Sequence, residues 1–199
     1  MPTSSIHAIV AKKIANIHTE LDNYDYYLGS IAPDSVNLYG FAEKEERWNA
    51  HLRDKDLDVW TNNIVDFYNQ EKNNIPLNFL KGYITHIMTD IIYDKSYYLE
   101  VRNKIEEMGI DRDRSHTFMQ TEMKIYGVKK EDYIYVRNFL DSMDKGYNIR
   151  NIEENEMIQW KNKIIHENIP DLDATIFNDD IVERLFQETL KVLEERNIL

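Results

Sequence analysis

Cysteine is absent from this chain of 199 residues, so neither a disulfide framework nor a thiolate metal site can be part of it. Any metal must be held by histidine, carboxylate, backbone or water. Glycine and proline are scarce, at six and four residues, which leaves few points where the chain is punctuated. No apolar run approaches the ~20 residues of a membrane span, so no stable membrane insertion is expected. The opening residues, Met1 to His7, lack the basic start, long apolar stretch and small-residue cleavage site of a signal peptide. These absences point to a soluble, cytoplasmic protein. Cations are also in deficit, with 24 Lys and Arg against 36 Asp and Glu and a formal net charge of −12. That balance argues against a general electrostatic hold on nucleic acid or an anionic membrane, while leaving local basic patches open.

What is present is aromatic and helical. With 13 Tyr, 7 Phe and 3 Trp there is ample material for a core, and the length suits one domain over residues 1–199. Apolar residues recur at steps of three and four almost throughout, as in Ile6, Ile9, Val10, Ile14, Ile17 and Leu21 behind Ser4 or Ser5 as N-cap. The aromatic segment 24–28 reaches Gly29 and a loop over residues 30–35. Further helices are predicted over about residues 56–71, 76–93 and 95–108, the last stopped by Gly109. Others follow over about 114–126 with Gly127 as a stop, 131–143 ending near Gly146, 152–166, and 179–196 behind Asn178 as N-cap. The fold class is therefore all-α, a single bundle of seven to nine helices joined by short loops.

The stretch from Gly82 to Asp90 lies in the most apolar of these helices. Four residues turn an α-helix by roughly 400°, so His86 and Asp90 project from nearly one side, about 6 Å apart along the axis, and can close on one metal ion. Gly82, one turn earlier, gives that face no side chain and admits a close neighbour or a substrate. A His-x-x-x-Asp pair alone is unspecific, and an ion-paired or capped surface pair is its commoner meaning. Possible partners each have a bland reading too. Asp34 follows a proline in a loop, where turn or N-cap aspartates are common. His51 adjoins a charged segment containing Trp48, and His7 borders the apolar stripe of the first helix. His18 and His166 have no supporting neighbours and read as structural or solvated.

Read in order, His7, then Gly29-Ser30-Ile31-Ala32-Pro33-Asp34, then His51, then Gly82-x-x-x-His86-x-x-x-Asp90, the first half of the chain resembles the zinc-dependent phospholipase C family. That family includes the catalytic domain of clostridial alpha-toxin and is related in fold to the single-strand-specific zinc nucleases. The resemblance implies an all-helical domain around a zinc cluster, with Asp34, His51, His86 and Asp90 about one ion and Asp90 bridging to a second held by His7. In the family the N-terminal amine and carbonyl complete that second site; here Met1-Pro2 lies only six residues before His7. The family's remaining ion needs a later histidine and a His-x-x-x-Glu helix. Here His116 is followed at the fourth position by Gln120, with Glu122 two residues beyond, so that site is missing or rebuilt around His116 and Glu122.

The resemblance implies a phosphoesterase using one or two Zn²⁺, or another divalent metal, to supply a hydroxide at neutral pH to a phosphodiester or phosphomonoester. Asp34 is then a ligand that also holds or deprotonates the attacking water. The substrate is a small phosphoester or a phospholipid head group. The alternative is an inactive helical binding or structural protein with one structural metal closed by Asp34, His51, His86 and Asp90. A His-Asp phosphohydrolase is disfavoured because no adjacent His-Asp pair exists in the chain.

Overall fold

The computed structural model describes residues 1–167 and 172–199, apart from the side chain of Arg112. In chain order the helices are α1 (Ser4–Ile17), α2 (Tyr24–Ile31), α3 (Lys44–Ala50), α4 (Leu57–Glu71) and α5 (Leu77–Ile92), followed by α6 (Tyr98–Glu107), α7 (Arg112–Val128), α8 (Glu131–Asp141), α9 (Glu154–Ile165) and α10 (Asp179–Glu195). A 3₁₀ turn, Ala32–Asn37, continues α2, and a π-helical turn, Tyr93–Tyr97, joins α5 to α6. Among the described residues there is no β-strand, only an isolated bridge between Ile149 and Ile152. The all-α expectation therefore holds. No described helix is long and apolar enough to cross a membrane.

α5 is the central element, buried from Gly82 through Ile92 without interruption. A helix apolar all round must be surrounded, and α1, α2, α4 and α10 pack against it. Complete burial of Ile84, Ile87 and Met88 contributes on the order of 1.5–3 kcal/mol each before the entropy of ordering is set against it. α10 closes the bundle with Ile181, Leu185, Phe186 and Leu193, and starts as expected at Asn178, whose side chain accepts from the Ile181 amide.

The most intimate pairing is α2 with α5, and two glycines make it possible. A methyl group at Gly29 would lie 2.2 Å from the Phe79 carbonyl oxygen, and one at Gly82 would lie 2.0 Å from that of Tyr26. The backbones thus touch at both points, and the neighbour admitted by Gly82 is α2.

Several boundaries depart from the sequence expectation. Gly29 and Gly127 were expected near helix ends, yet both lie inside helices, because each gives up its side chain to a close approach. A methyl at Gly127 would come within 2.6 Å of the Ser5 side chain. α2 therefore runs on to Ile31, and residues 32–37 form a helical turn in place of an irregular loop. Gly109 is the expected stop, with φ +76°. The cap of α1 is Thr3, since the Ser4 hydroxyl is engaged by Asp34 and that of Ser5 by the Met123 carbonyl.

Candidate metal centre

Four elements bring five side chains to one place. α5 supplies His86 and Asp90, α1 supplies His7 from its first turn, the 3₁₀ turn after α2 supplies Asp34, and the C-cap of α3 supplies His51. His7, His51, His86 and Asp90 have no exposed surface, and Asp34 is 8% exposed.

The spacing within the cluster is informative. His51 Nε2 lies 3.7 Å from Asp34 Oδ1 and 3.6 Å from Asp90 Oδ2, and His86 Nε2 lies 3.9 Å and 3.7 Å from the same two atoms. These separations are too long for hydrogen bonds. They approach the roughly 3.4 Å that separates donors held about 2.0–2.1 Å from a tetrahedral ion. Asp90 turns its other oxygen, Oδ1, towards His7 Nε2 at 3.4 Å. Its carboxylate is thus shared between the His51 and His86 pair on one side and His7 on the other.

Buried polar atoms normally have partners, and these do not. His7 Nδ1 and Nε2, His51 Nε2, His86 Nε2 and both Asp90 oxygens lack any hydrogen bond. Removing a carboxylate from water without compensation costs several kcal/mol, so the arrangement calls for a cation. The rest of the imidazole geometry fits that requirement. His86 Nδ1 lies 2.8 Å from the Ser30 carbonyl, and His51 Nδ1 lies 2.9 Å from that of Arg47. A carbonyl can only accept, so Nδ1 carries the proton in both rings and Nε2 presents a lone pair to the cluster, as in metal-binding histidines. Two of the five, His7 and His86, stack with ring centroids 3.5 Å apart.

The electrostatics agree. Burial, followed by the neighbouring His7, depresses His86 to about 3, so its ring is neutral and able to ligate at neutral pH. Burial pushes Asp34 and Asp90 upward, but the imidazoles facing them, His86 foremost for Asp34 and His7 for Asp90, outweigh it and hold both below the usual carboxylate range. Two ionised carboxylates beside the neutral His86 ring make an anionic N and O donor set that could hold a divalent ion. The buried groups competent to hold metal are His7 with Asp34 and His86, and His51 with His86 and Asp90.

The positions of the donors rest on the fold around them. The Gly29–Gly82 contact sets the Ser30 carbonyl beside His86. Trp60 Nε1 donates to the His51 carbonyl at 2.8 Å, and the Tyr83 hydroxyl donates to that of Ala50, so α4 and α5 together pin the end of α3. Ser4 Oγ donates to Asp34 Oδ2 at 2.7 Å, which leaves Oδ1 turned to the two imidazoles.

Asp34 is the one member of the five that reaches a cavity of about 760 Å³, whose wall also carries Ser4, Lys44, Arg47, Trp48, Trp160 and Lys163. His116 lies on the same wall, edge-on to Phe41. It joins neither metal-competent group among the described residues, and nor does Glu122. The Glu122 carboxylate is spent elsewhere, accepting from the amides of Thr175 and Ile176 at 2.7 Å each, where it secures the approach to α10. The rebuilt site around His116 and Glu122 is thus not assembled. His18 pairs with Glu194 near the surface, and His166 is the exposed C-cap of α9. The expectation did not single out Lys44, Arg47 and Lys163. Their signal in the sequence was only that of ordinary charged helix positions.

No family model matches the chain, and no curated protein or solved structure matches it either.

Proposed function

We propose that this protein is a divalent-metal-dependent phosphoester hydrolase of the zinc phospholipase C type, taking a small phosphoester or a phospholipid head group. The observation that carries this reading is the contact of the buried His and Asp cluster, through Asp34, with a large cavity rimmed by Lys44, Arg47 and Lys163 in an otherwise acidic chain. A site that is only structural has no need of such an opening. His51, His86, Asp34 and Asp90 would hold the first ion, and His7 with the second oxygen of Asp90 contributes to another. A bound divalent ion supplies water activation at neutral pH and polarisation of a phosphoryl oxygen. Asp34 Oδ1 would help hold the ion, while Oδ2, steadied by Ser4, keeps a lone pair able to take a proton from the attacking water. The cationic rim favours entry of an anionic ester into the cavity.

Metal content, measured on protein purified without chelator, should give one or two ions per chain. Asp34→Asn should keep the fold and lower turnover of a responsive phosphoester by about 10²–10⁴-fold, the usual range for loss of a proton acceptor. Unchanged turnover in that variant would remove Asp34 from the mechanism. A second reading is favoured by the four His–Asp separations of 3.6 to 3.9 Å, since four protein donors close a structural zinc. One tightly held ion, with no turnover of any phosphomonoester or phosphodiester, decides for that reading.

A further inference from the structure

The cavity beside Asp34 is more cationic than a phosphoryl group at the cluster requires. α3 and α9 both pack on the 3₁₀ turn that carries Asp34, so side chains from the two helices flank that ligand. Lys44 and Arg47, three positions apart on α3, share one face, and Lys163 of α9 lines the same cavity. Each is steadied by an aromatic ring: Lys44 Nζ lies 4.4 Å from the centre of Trp48, the Arg47 guanidinium 3.8 Å from Phe41, and Lys163 Nζ 5.1 Å from Trp160. Two are also tied to the chain leading away from the Asp34 turn, Arg47 Nε donating to the Ala42 carbonyl at 2.9 Å and Lys163 Nζ to that of Leu38 at 3.1 Å.

None of the three has a carboxylate within ion-pair distance among the described residues. The cavity's other cations do: Arg53 pairs with Asp94, and Lys124 with Glu167. In a chain with half again as many acids as bases, partners were plentiful, yet Glu45 and Glu46 of the same helix do not line the cavity. Among the described residues Lys44 has no hydrogen-bond acceptor and neither terminal nitrogen of Arg47 has one, Arg47 using only Nε. Unpaired cations lining a small-molecule-sized cavity favour an oxyanion over a cationic group such as trimethylammonium.

We propose that the α3 and α9 wall is a second oxyanion subsite, so that the substrate carries a further phosphate or carboxylate besides the ester that reacts at the cluster. This rests on the phosphoester reading, but the subsite can be tested apart from catalysis. Sulfate, titrated into the metal-loaded protein at constant ionic strength with chloride as balance, should give a saturable change in tryptophan fluorescence, because Trp48 and Trp160 lie under two of the cations. The double variant Lys44→Glu, Lys163→Glu changes two exposed positions and should keep the metal content and melting temperature while losing that response. A wild type without a saturable response, or a variant that responds equally, overturns the subsite whatever the activity. If no ester is turned over but the response is present and lost as described, the subsite stands and the hydrolase reading falls.

Where turnover is found, esters matched except for a distal neutral, phosphate or trimethylammonium group separate the outcomes. The distal phosphate should raise kcat/KM by about tenfold or more over the neutral ester, the scale of one charge-assisted contact, and the double variant should abolish the advantage. Parity among the three esters, or preference for the cationic one, overturns the proposal. Comparing a soluble bisphosphate with vesicles of an anionic phospholipid then tells whether the second oxyanion belongs to a free metabolite or a lipid head group.

Discussion

At His86 one side chain gathers most of the constraints on the site. Its Nδ1 proton is committed to Ser30, its Nε2 faces two carboxylates, and its ring stacks on His7. Held neutral down to about pH 3 while an unfolded histidine titrates near 6.5, it makes stability depend on pH with a definite sign. Between those values the unfolded chain binds a proton that the native chain refuses, so stability rises with pH across this window and falls on acidification. Asp34 and Asp90, held below their usual range, act in the same direction: their contribution is complete above about pH 4 and is lost as the pH drops further. In denaturant melts of metal-free protein, the unfolding free energy should decrease by a few kcal/mol from pH 7 to pH 4, because a tenfold difference in proton affinity between the two states is worth about 1.4 kcal/mol. A flat profile over that interval would show that His86 is not kept neutral in the fold. The His86 and Asp90 pair was legible in sequence because the helical repeat fixes it locally. The Ser30 carbonyl that selects the His86 tautomer lies 56 positions away and was not.

Among the elements, α2 and α5 decide whether the cluster exists. Their backbones meet through Gly29 and Gly82, and this contact sets the distance from the Asp34 turn to His86. Gly82→Ala places a methyl 2.0 Å from the Tyr26 carbonyl oxygen, backbone against backbone, where no rotamer change relieves it. The variant should lose about 3 kcal/mol or more, at or beyond the upper end of overpacking costs, and should retain less metal than wild type when both are dialysed against the same zinc buffer. Calorimetry and elemental analysis check the two halves, and a variant as stable as wild type would show that the helices are not in contact there. Close approaches, of Gly29 to α5 and of Gly127 to Ser5, explain why both misled the placement of helix ends. A missing side chain looks alike in sequence whether it serves a turn or a close approach, and of these three glycines only Gly109, at φ +76°, serves a turn.

For the molecule as a whole, a metal held by the cluster would tie folding to its binding. α1, α3, α5 and the turn after α2 each contribute donors, so an ion bound there joins elements from residue 7 to residue 90 and binds the native state far better than the unfolded chain. Stabilisation should follow the logarithm of free zinc, reaching about 2.7 kcal/mol at one hundred times the dissociation constant. Thermal melts across a buffered zinc series should therefore climb steadily, and a Tm indifferent to zinc and to chelator would remove the metal from the fold. Charge is the other molecular property. The net −12 argues against a broad anionic partner, yet the cavity wall carries the opposite sign. Net charge sums over the surface, whereas a ligand meets only the local field.

By itself the sequence determined the all-helical class, the centrality of the helix around His86 and Asp90, and the donor chemistry available to a protein without cysteine. Those follow from composition and from a period of 3.6 residues, which are local quantities. The ordered motifs, through the family resemblance, already implied that His7, Asp34 and His51 join that helix. Tertiary structure alone decided which of their atoms face one another, that Glu122 is spent on the amides before α10, and that Lys44, Arg47 and Lys163 have no carboxylate partner among the described residues. Each of those outcomes depends on which helices touch, and for α2 and α5 that contact needs the absence of a methyl group at Gly29 and Gly82, which bears on packing without leaving a periodic trace in the chain.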